Sequence, residues 1–437
     1  MDKELLKTDE MRTASLPKLI AKYSVVTFCA LFFNELYNII DTLFVSRGVG
    51  DNAMGGVSII FPFMMIQGAI SQTIGSGAGT VVSKLLGKRE YEKAGNATAC
   101  AMLAFYTTSI LITIVGLIFL TPLLRLFGAT DDIMPYAKEY FTIILIGNIF
   151  STGFSSIIRA EGKMVYSLLI WLIPTAVNIL LDAIFIYALN MGVKGAALAT
   201  IICYFTSFLM SVIFFKKISV QKFSRIKIEL KMIWEIITLG APMLLQLGSM
   251  SILFLIINKA LSASGGTLSV NTFAYVSKIL SFAIVPFNAI ATAISPIISY
   301  NHGAGKLKRI NKTFNTSLIM CEIYSAISII AAFTMSSLFV KTFTNDINII
   351  MQGTDALKTL SLAMPTAPLT IITGIYFQAL GKKSQAILIN SLIVLLSLAT
   401  IIIFMKTDYT NGIYIAISIA CLIAGVIAII LKKQTKI

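Results

Sequence analysis

Apolar residues run along this chain in stretches too long for most soluble helices, each closed by a short polar loop. Twelve stretches of roughly 20 residues or more, the length a bilayer core requires, lie near residues 19–45, 54–83, 94–120, 133–159, 165–190, 194–215, 232–261, 268–300, 313–340, 355–380, 384–405 and 411–431. They predict an all-α, multi-pass membrane protein with 12 transmembrane helices. Spans two and eight are long. Span two carries Pro62 with Gly68, Gly75, Gly77 and Gly79, and span eight carries Pro286 and Pro296, so bent or broken helices are expected in both.

Composition agrees. The chain has 437 residues, 57% of them hydrophobic and 13% charged, where soluble domains are about 25% charged. A formal charge of +15 would suit nucleic acid, but the basic residues fall in the short loops. Of 35 Lys and Arg, 26 lie at the termini or in alternate loops: before span one, after spans two, four, six, eight and ten, and after span twelve. That asymmetry places both termini on the cytoplasmic side of the membrane. The polar N-terminus, up to about Lys18, predicts no cleaved signal peptide. The five cysteines lie inside apolar spans and read as small buried hydrophobes. The single histidine, His302, lies in a loop and leaves no basis for a histidine-built metal site.

The longest basic loop, 216–231, falls at the middle of the chain. Sliding the sequence by 219 places Val57-Ser58 on Val276-Ser277 and Ala160-x-Gly162-Lys163 on Ala379-x-Gly381-Lys382. Gly87-Lys88 falls on Gly305-Lys306 at 218. The expected organisation is a tail (1–18), a six-helix bundle (19–215), a basic linker (216–231), a second six-helix bundle (232–431) and a short tail (432–437). An even number of spans per bundle relates the two by a pseudo-twofold axis along the membrane normal, an arrangement that suits alternating access.

Charges inside the spans are costly and mark function. In span one, Asn34, Asn38 and Asp41 recur at i, i+4 and i+7 on one helix face, with Glu35 to the side. In span five, Asn178 and Asp182 share a face below Pro174, which cannot donate to the carbonyl of Ile170 and is expected to free it for a cation. Two carboxylates with amide oxygens form a set of hard oxygen ligands for Na⁺, or a site for a shared proton. A hydrogen-bonded cluster that only glues helices is the plainer alternative. Lys278 could neutralise a carboxylate or snorkel, and Glu322 reads as structural. At the repeat offset, Glu35, Asp41 and Asp182 fall on Phe254, Ala260 and Ile401, so the acids belong to the first bundle alone. The second bundle offers scattered polar groups along a substrate path: Gln246, Met250, Asn288 and Gln378, with Asn34 and Lys278.

Several stretches resemble the multidrug and toxic compound extrusion (MATE) transporters, nearest their MepA-like branch. These are Tyr37-Asn38-Ile39-Ile40-Asp41-Thr42-Leu43-Phe44-Val45, Arg159-Ala160-Glu161-Gly162, Pro174-x-x-x-Asn178-x-x-x-Asp182, and Pro296 through Lys306. The resemblance implies a pair of six-helix bundles exchanging H⁺ or Na⁺ for organic cations and drugs. It implies coupling at Asp41, Asn178 and Asp182, with Thr200 as a further ligand. It also implies small-molecule substrates, no cofactor beyond the coupling ion, and a monomer in the bilayer. The chain departs from the family by carrying Ser155 and Ser156 where members often have Asn, and Met250 where a helix-seven Glu would stand. A lipid-linked saccharide flippase is the alternative reading, disfavoured by twelve spans and one deep lysine. An enzyme is disfavoured by the lack of an intramembrane nucleophile paired with a base.

Overall fold

The structure is a computed structural model that describes residues 10–49, 51–127, 129, 131–151, 154–221, 223, 227–404 and 410–435. Among these, the side chains of 34–48, 51–55, 249–252 and a few single positions lie outside the description. No strand occurs among the described residues. The helices are α1 (Leu16–Gly48), α2 (Asp51–Gly87), α3 (Tyr91–Ile118), α4 (Leu120–Leu126), α5 (Met134–Gly147), α6 (Ser155–Ala160), α7 (Met164–Asp182), α8 (Gly192–Lys217), α9 (Leu230–Gly303), α10 (Leu307–Lys341), α11 (Ile347–Ser361), α12 (Ala367–Ala379), α13 (Lys383–Phe404) and α14 (Thr410–Gln434).

Nine helical segments among the described residues are long and apolar enough to cross a membrane. The other three sequence spans correspond to α2, the first half of α9, and the α11–α12 pair. Within α9 the one non-helical residue is Gly266 (φ 62°, ψ −156°), which divides its 74 residues between spans seven and eight.

The chain divides into two compact units. One gathers Cys29–Gly240 with Met1–Thr13, and the other gathers Ala14–Phe28 with Ala241–Ile437. The first half of α1 thus belongs to the second unit, and the opening turns of α9 belong to the first. In the first unit, Ile60, Phe141, Ile144, Leu145, Ile186 and Ala197 form the core. In the second, Leu253, Phe273, Val340, Leu357, Ile401 and Tyr414 do so.

Lipid is as apolar as these side chains, so close packing and internal hydrogen bonds hold helices together in a bilayer. Hydroxyls follow that rule by bonding back to the preceding turn. Thr73 Oγ1 donates to Ala69 O at 2.8 Å, Thr80 Oγ1 to Ser76 O at 3.0 Å, and Thr400 Oγ1 to Leu396 O at 2.9 Å. Close packing is tightest where α2 meets the start of α9. A Cβ on Gly240 would sit 1.8 Å from Thr73 O, and one on Gly77 would sit 1.9 Å from Ile236 O. Only glycine permits that backbone contact.

Three expectations change. The prolines of spans two and eight do not break their helices. α2 runs uninterrupted to Gly87, and Pro286 and Pro296 lie inside α9. The breaks occur in spans four and ten. Span four passes from α5 into a 3₁₀ turn (Asn148–Phe150) and an extended Ser151 before α6. Span ten passes through turns at 362–366 between α11 and α12. Pro174 does not leave Ile170 O open for a cation, because Ser207 Oγ of α8 donates to it at 3.3 Å. A neighbouring hydroxyl restoring a proline's lost bond is the usual membrane remedy.

The repeat is visible in the helix ends. Gly162 and Gly381, 219 positions apart, adopt φ of 76° and 77°. Each donates to a carbonyl three residues back, and the following Lys donates to one five residues back, the Schellman arrangement that favours glycine. Gly305 (φ 69°) and Arg89 (φ 64°) end α9 and α2 with the same bonds. The equivalence is therefore Arg89 with Gly305, at an offset of 216, and not Gly87 with Gly305. The left-handed residue, rather than the Gly-Lys pair, marks the corresponding turn.

Candidate functional site

α7 buries Met164, Ser167, Ile170, Pro174, Asn178 and Asp182. The spacing of three or four puts them on one stripe. Asn178 and Asp182 are wholly buried. Neither the amide nitrogen nor the amide oxygen of Asn178 has a hydrogen-bond partner among the described residues. Asp182 is the last α-helical residue, and the chain continues as a π-helix through Ala183–Ala188. π-turns recur at functional sites because the widened turn redirects side chains and backbone groups. Thr200 of α8 is buried with its hydroxyl donating to Ala196 O at 3.0 Å. α7 and α8 pack along their lengths, so these residues lie on neighbouring helices of one unit.

Asn34, Glu35, Asn38 and Asp41 lie in α1, and their side chains fall outside the described residues, as does that of Met250. Gln246 is half-buried, Asn288 exposed and Gln378 buried. Lys278 is exposed and Glu322 half-buried, and they form no ion pair with each other. Among the described residues, no three His, Cys, Asp or Glu side chains gather as a metal site. The five cysteines are free thiols.

Two polar groupings escaped the sequence reading. At the mid-membrane break, Gln67 Nε2 of α2 donates to Ser151 Oγ at 3.2 Å, and Ser151 Oγ donates to Asn148 Oδ1 at 3.3 Å. Asn148 is wholly buried, and its Nδ2 has no partner among the described residues. An in-span amide was the available signal, of the same kind that singled out Asn178.

The second grouping lies at the turn between α6 and α7. Glu161 is wholly buried. It accepts from Ser219 Oγ, from Val220 N at 3.0 Å and from Gln221 Nε2 at 2.7 Å. Gln221 Oε1 accepts from Thr98 Oγ1 at 2.5 Å, and Lys227 N donates to Asn96 Oδ1 at 3.1 Å. The linker's start is thus strapped to the first unit. Burial pushes the Glu161 carboxyl up to about 7 against these hydrogen bonds, which pull it down. Burial draws the neighbouring Lys163 down to about 8. Arg159 braces the same turn through Ser156 Oγ at 2.7 Å and Ser167 Oγ at 3.2 Å.

Known proteins share both the sequence pattern and the fold. The multidrug export protein MepA of Staphylococcus aureus (strain MSSA476) is 24% identical over 438 residues, covering 95% of this chain and 94% of its own. A MOP superfamily transporter from Pyrococcus furiosus superposes with a TM-score of 0.89 at 23% identity, over 98% of this chain and 97% of that one. A MATE protein solved in a bent conformation gives a TM-score of 0.91 at 23% identity, over the same shares. The structural likeness carries the fold. The MatE family model matches residues 27–184 and 242–403. It takes in both halves and well over half of the length, and on that match the chain belongs to the MatE family of multidrug and toxic compound extrusion transporters.

Proposed function

We propose that this chain is a cation-coupled multidrug efflux antiporter of a bacterial plasma membrane, exporting organic cations and amphipathic drugs by alternating access. The observation that carries the reading is the pair Asn178 and Asp182, wholly buried on one face of a membrane-length helix at its junction with a π-turn. A carboxylate at that depth costs several kcal/mol unless an ion or proton compensates it. The export activity printed in the name of MepA supports the drug side of the reading.

In this mechanism Na⁺ or H⁺ binds from outside at Asp41 and Asp182, with Asn178, Thr200, Glu35 and Asn38 completing the polar shell. Neutralising the acids lets α1 shift, which expels the drug and favours the inward-open state. Drug entering from the cytoplasm or inner leaflet along Asn34, Gln246, Met250, Lys278, Asn288 and Gln378 favours ion release. The ion must bind the two states with different affinity to drive the cycle. The two six-helix bundles, 19–215 and 232–431, rock as a monomer about the linker 216–231, with both termini cytoplasmic.

The test is ethidium efflux from proteoliposomes under an imposed Na⁺ gradient and then an imposed pH gradient. One gradient should drive wild-type efflux and leave Asp41→Asn and Asp182→Asn inactive although membrane-inserted. Wild-type efflux from Asp41→Asn refutes the coupling site.

A further inference from the structure

The turn leading into α3 has its repeat partner in the turn leading into α10. Glu90 precedes α3 with φ −90° and ψ 66°, and Lys306 precedes α10 with φ −89° and ψ 65°. The backbones match and the charges do not. Glu90, Glu92 and Asn96 correspond to Lys306, Lys308 and Lys312. In α3 these positions serve the fold: Glu90 pairs with Lys93 at 2.7 Å, and Asn96 Oδ1 accepts from Lys227 N at 3.1 Å. In α10, Lys308 and Lys312 are exposed one turn apart on one face. The dipole at a helix start favours acids over bases, so these lysines do not steady α10 itself.

No nearby carboxylate offsets them. The segment 14–28 has no Asp or Glu, and 241–437 has only Glu322, Asp346, Asp355 and Asp408. Glu322 lies about 15 Å along the helix from Lys312. Asp346 and Asp355 come beyond the far end of α10, and Asp408 follows span eleven. Two further cations are held against the first turns of α10. Arg309 donates to Ala14 O at 2.6 Å, and Lys432 of α14 lies over the Phe314 ring, 5.1 Å from its centroid.

The lysine face then turns apolar. Asn315 is exposed next, followed by Ile319, Ile323, Ile327 and Ile330, each between 58% and 64% exposed. Among the nine membrane-length segments of the described residues, α10 is the least buried. Lys312 stands about 10 Å along the helix from Ile319, and Ile319 to Ile330 spans about 16 Å. The hydrocarbon of one leaflet is about 15 Å deep. Phosphate, glycerol and acyl chain of one lipid meet basic, polar and aliphatic side chains in that order, and clustered lysines beside a span are the usual partner of anionic headgroups.

We propose that this face of α10 binds an anionic phospholipid, with its phosphate at Lys308 and Lys312, its glycerol region at Asn315 and an acyl chain along Ile319 to Ile330. The leaflet is the cytoplasmic one in the topology proposed above.

The experiment titrates purified, detergent-solubilised full-length protein with dioleoylphosphatidylglycerol and with dioleoylphosphatidylcholine, counting bound lipid by native mass spectrometry. Phosphatidylglycerol should bind the wild type more tightly than phosphatidylcholine. Its Kd should rise about 30-fold in Lys308→Gln/Lys312→Gln, from the usual worth of two lysines at an anionic surface. The lipid-free melting temperature should not move, because both side chains are exposed. Lys216→Gln/Lys217→Gln removes the same charge from the other unit and should leave Kd within about twofold. Equal affinity for the two lipids, or equal losses in the two double variants, overturns the proposal. So does glycerol phosphate binding as tightly as the lipid, which marks a site for a soluble anion. Lipid binding that appears only after residues 1–9 are removed also overturns it, since the face is then covered by the chain's own tail. Transport is not measured, so failure here leaves the antiport reading standing.

Discussion

Gly240→Ala should disable the closest helix crossing in the first unit. The new Cβ would lie 1.8 Å from Thr73 O and 2.6 Å from Thr73 C. A carbon–oxygen contact needs about 3.3 Å, so the backbones must part by about 1.5 Å. The obstacle is a carbonyl, which cannot rotate aside as a side-chain tip can. A gap of about 0.5–1 Å already forfeits a quarter to a half of each van der Waals well. Overpacking of this kind costs about 1–3 kcal/mol, equivalent to a population shift of about 5- to 150-fold. A crossing needed in only one state of a transport cycle would have its population moved by that factor. The assay pairs melting temperature with the initial rate of ethidium efflux. Gly248→Ala is the control on the same helix, since nothing lies within 4 Å of its added Cβ. Loss of efflux in Gly240→Ala with normal behaviour in Gly248→Ala is the expected result. Wild-type melting and efflux in Gly240→Ala would refute the reasoning.

Other outcomes follow from the same structure. Asn178→Leu removes two buried amide atoms that have no partner among the described residues and should raise stability by about 1–3 kcal/mol while abolishing ion-driven efflux; a scanning melt beside the flux assay checks both. Because folding raises the Glu161 carboxyl from 4.5 to about 7, the folded chain holds that proton more tightly than the unfolded one. The associated stability is complete below about pH 4.5 and is lost as pH rises through about 7. At about 1.4 kcal/mol per pH unit it amounts to about 3 kcal/mol. Melting temperature should fall between pH 5.5 and 8, and Glu161→Gln should flatten that slope. Gly381→Ala places a Cβ at φ 77° and should cost about 1 kcal/mol, read as a lower melting temperature with unchanged ethidium affinity.

Long apolar runs and alternating basic loops made the helical membrane fold readable in the sequence. Both reflect a solvent that constrains composition at every position. The co-facing of Asn178 and Asp182 was readable because helical period alone sets it. The breaks in spans four and ten were not, because prolines drew attention to spans two and eight. In α9 the helix continues past Pro286 and Pro296, whereas Gly147-Asn148 and Ser151, modest turn formers, mark an actual break. Ile170 shows why: whether a proline frees a carbonyl depends on a hydroxyl 37 residues away. The clamp at Glu161 was hidden for the same reason, since its three donors lie at Ser219–Gln221.

The sharing of α1 and α9 between units has a consequence for synthesis. Residues 14–28 leave the ribosome early, yet they belong with a unit that resumes only at Ala241. At about 5–20 residues per second, roughly 200 intervening residues keep them waiting for about 10–40 s. The earlier unit likewise stays unfinished until its last turns, up to Gly240, have emerged. The first unit can therefore be complete while most of the second has yet to be made, whereas the second cannot be completed without residues made near the start of the chain. A chain cut within the linker would yield two fragments, each holding a piece that the other needs to finish folding.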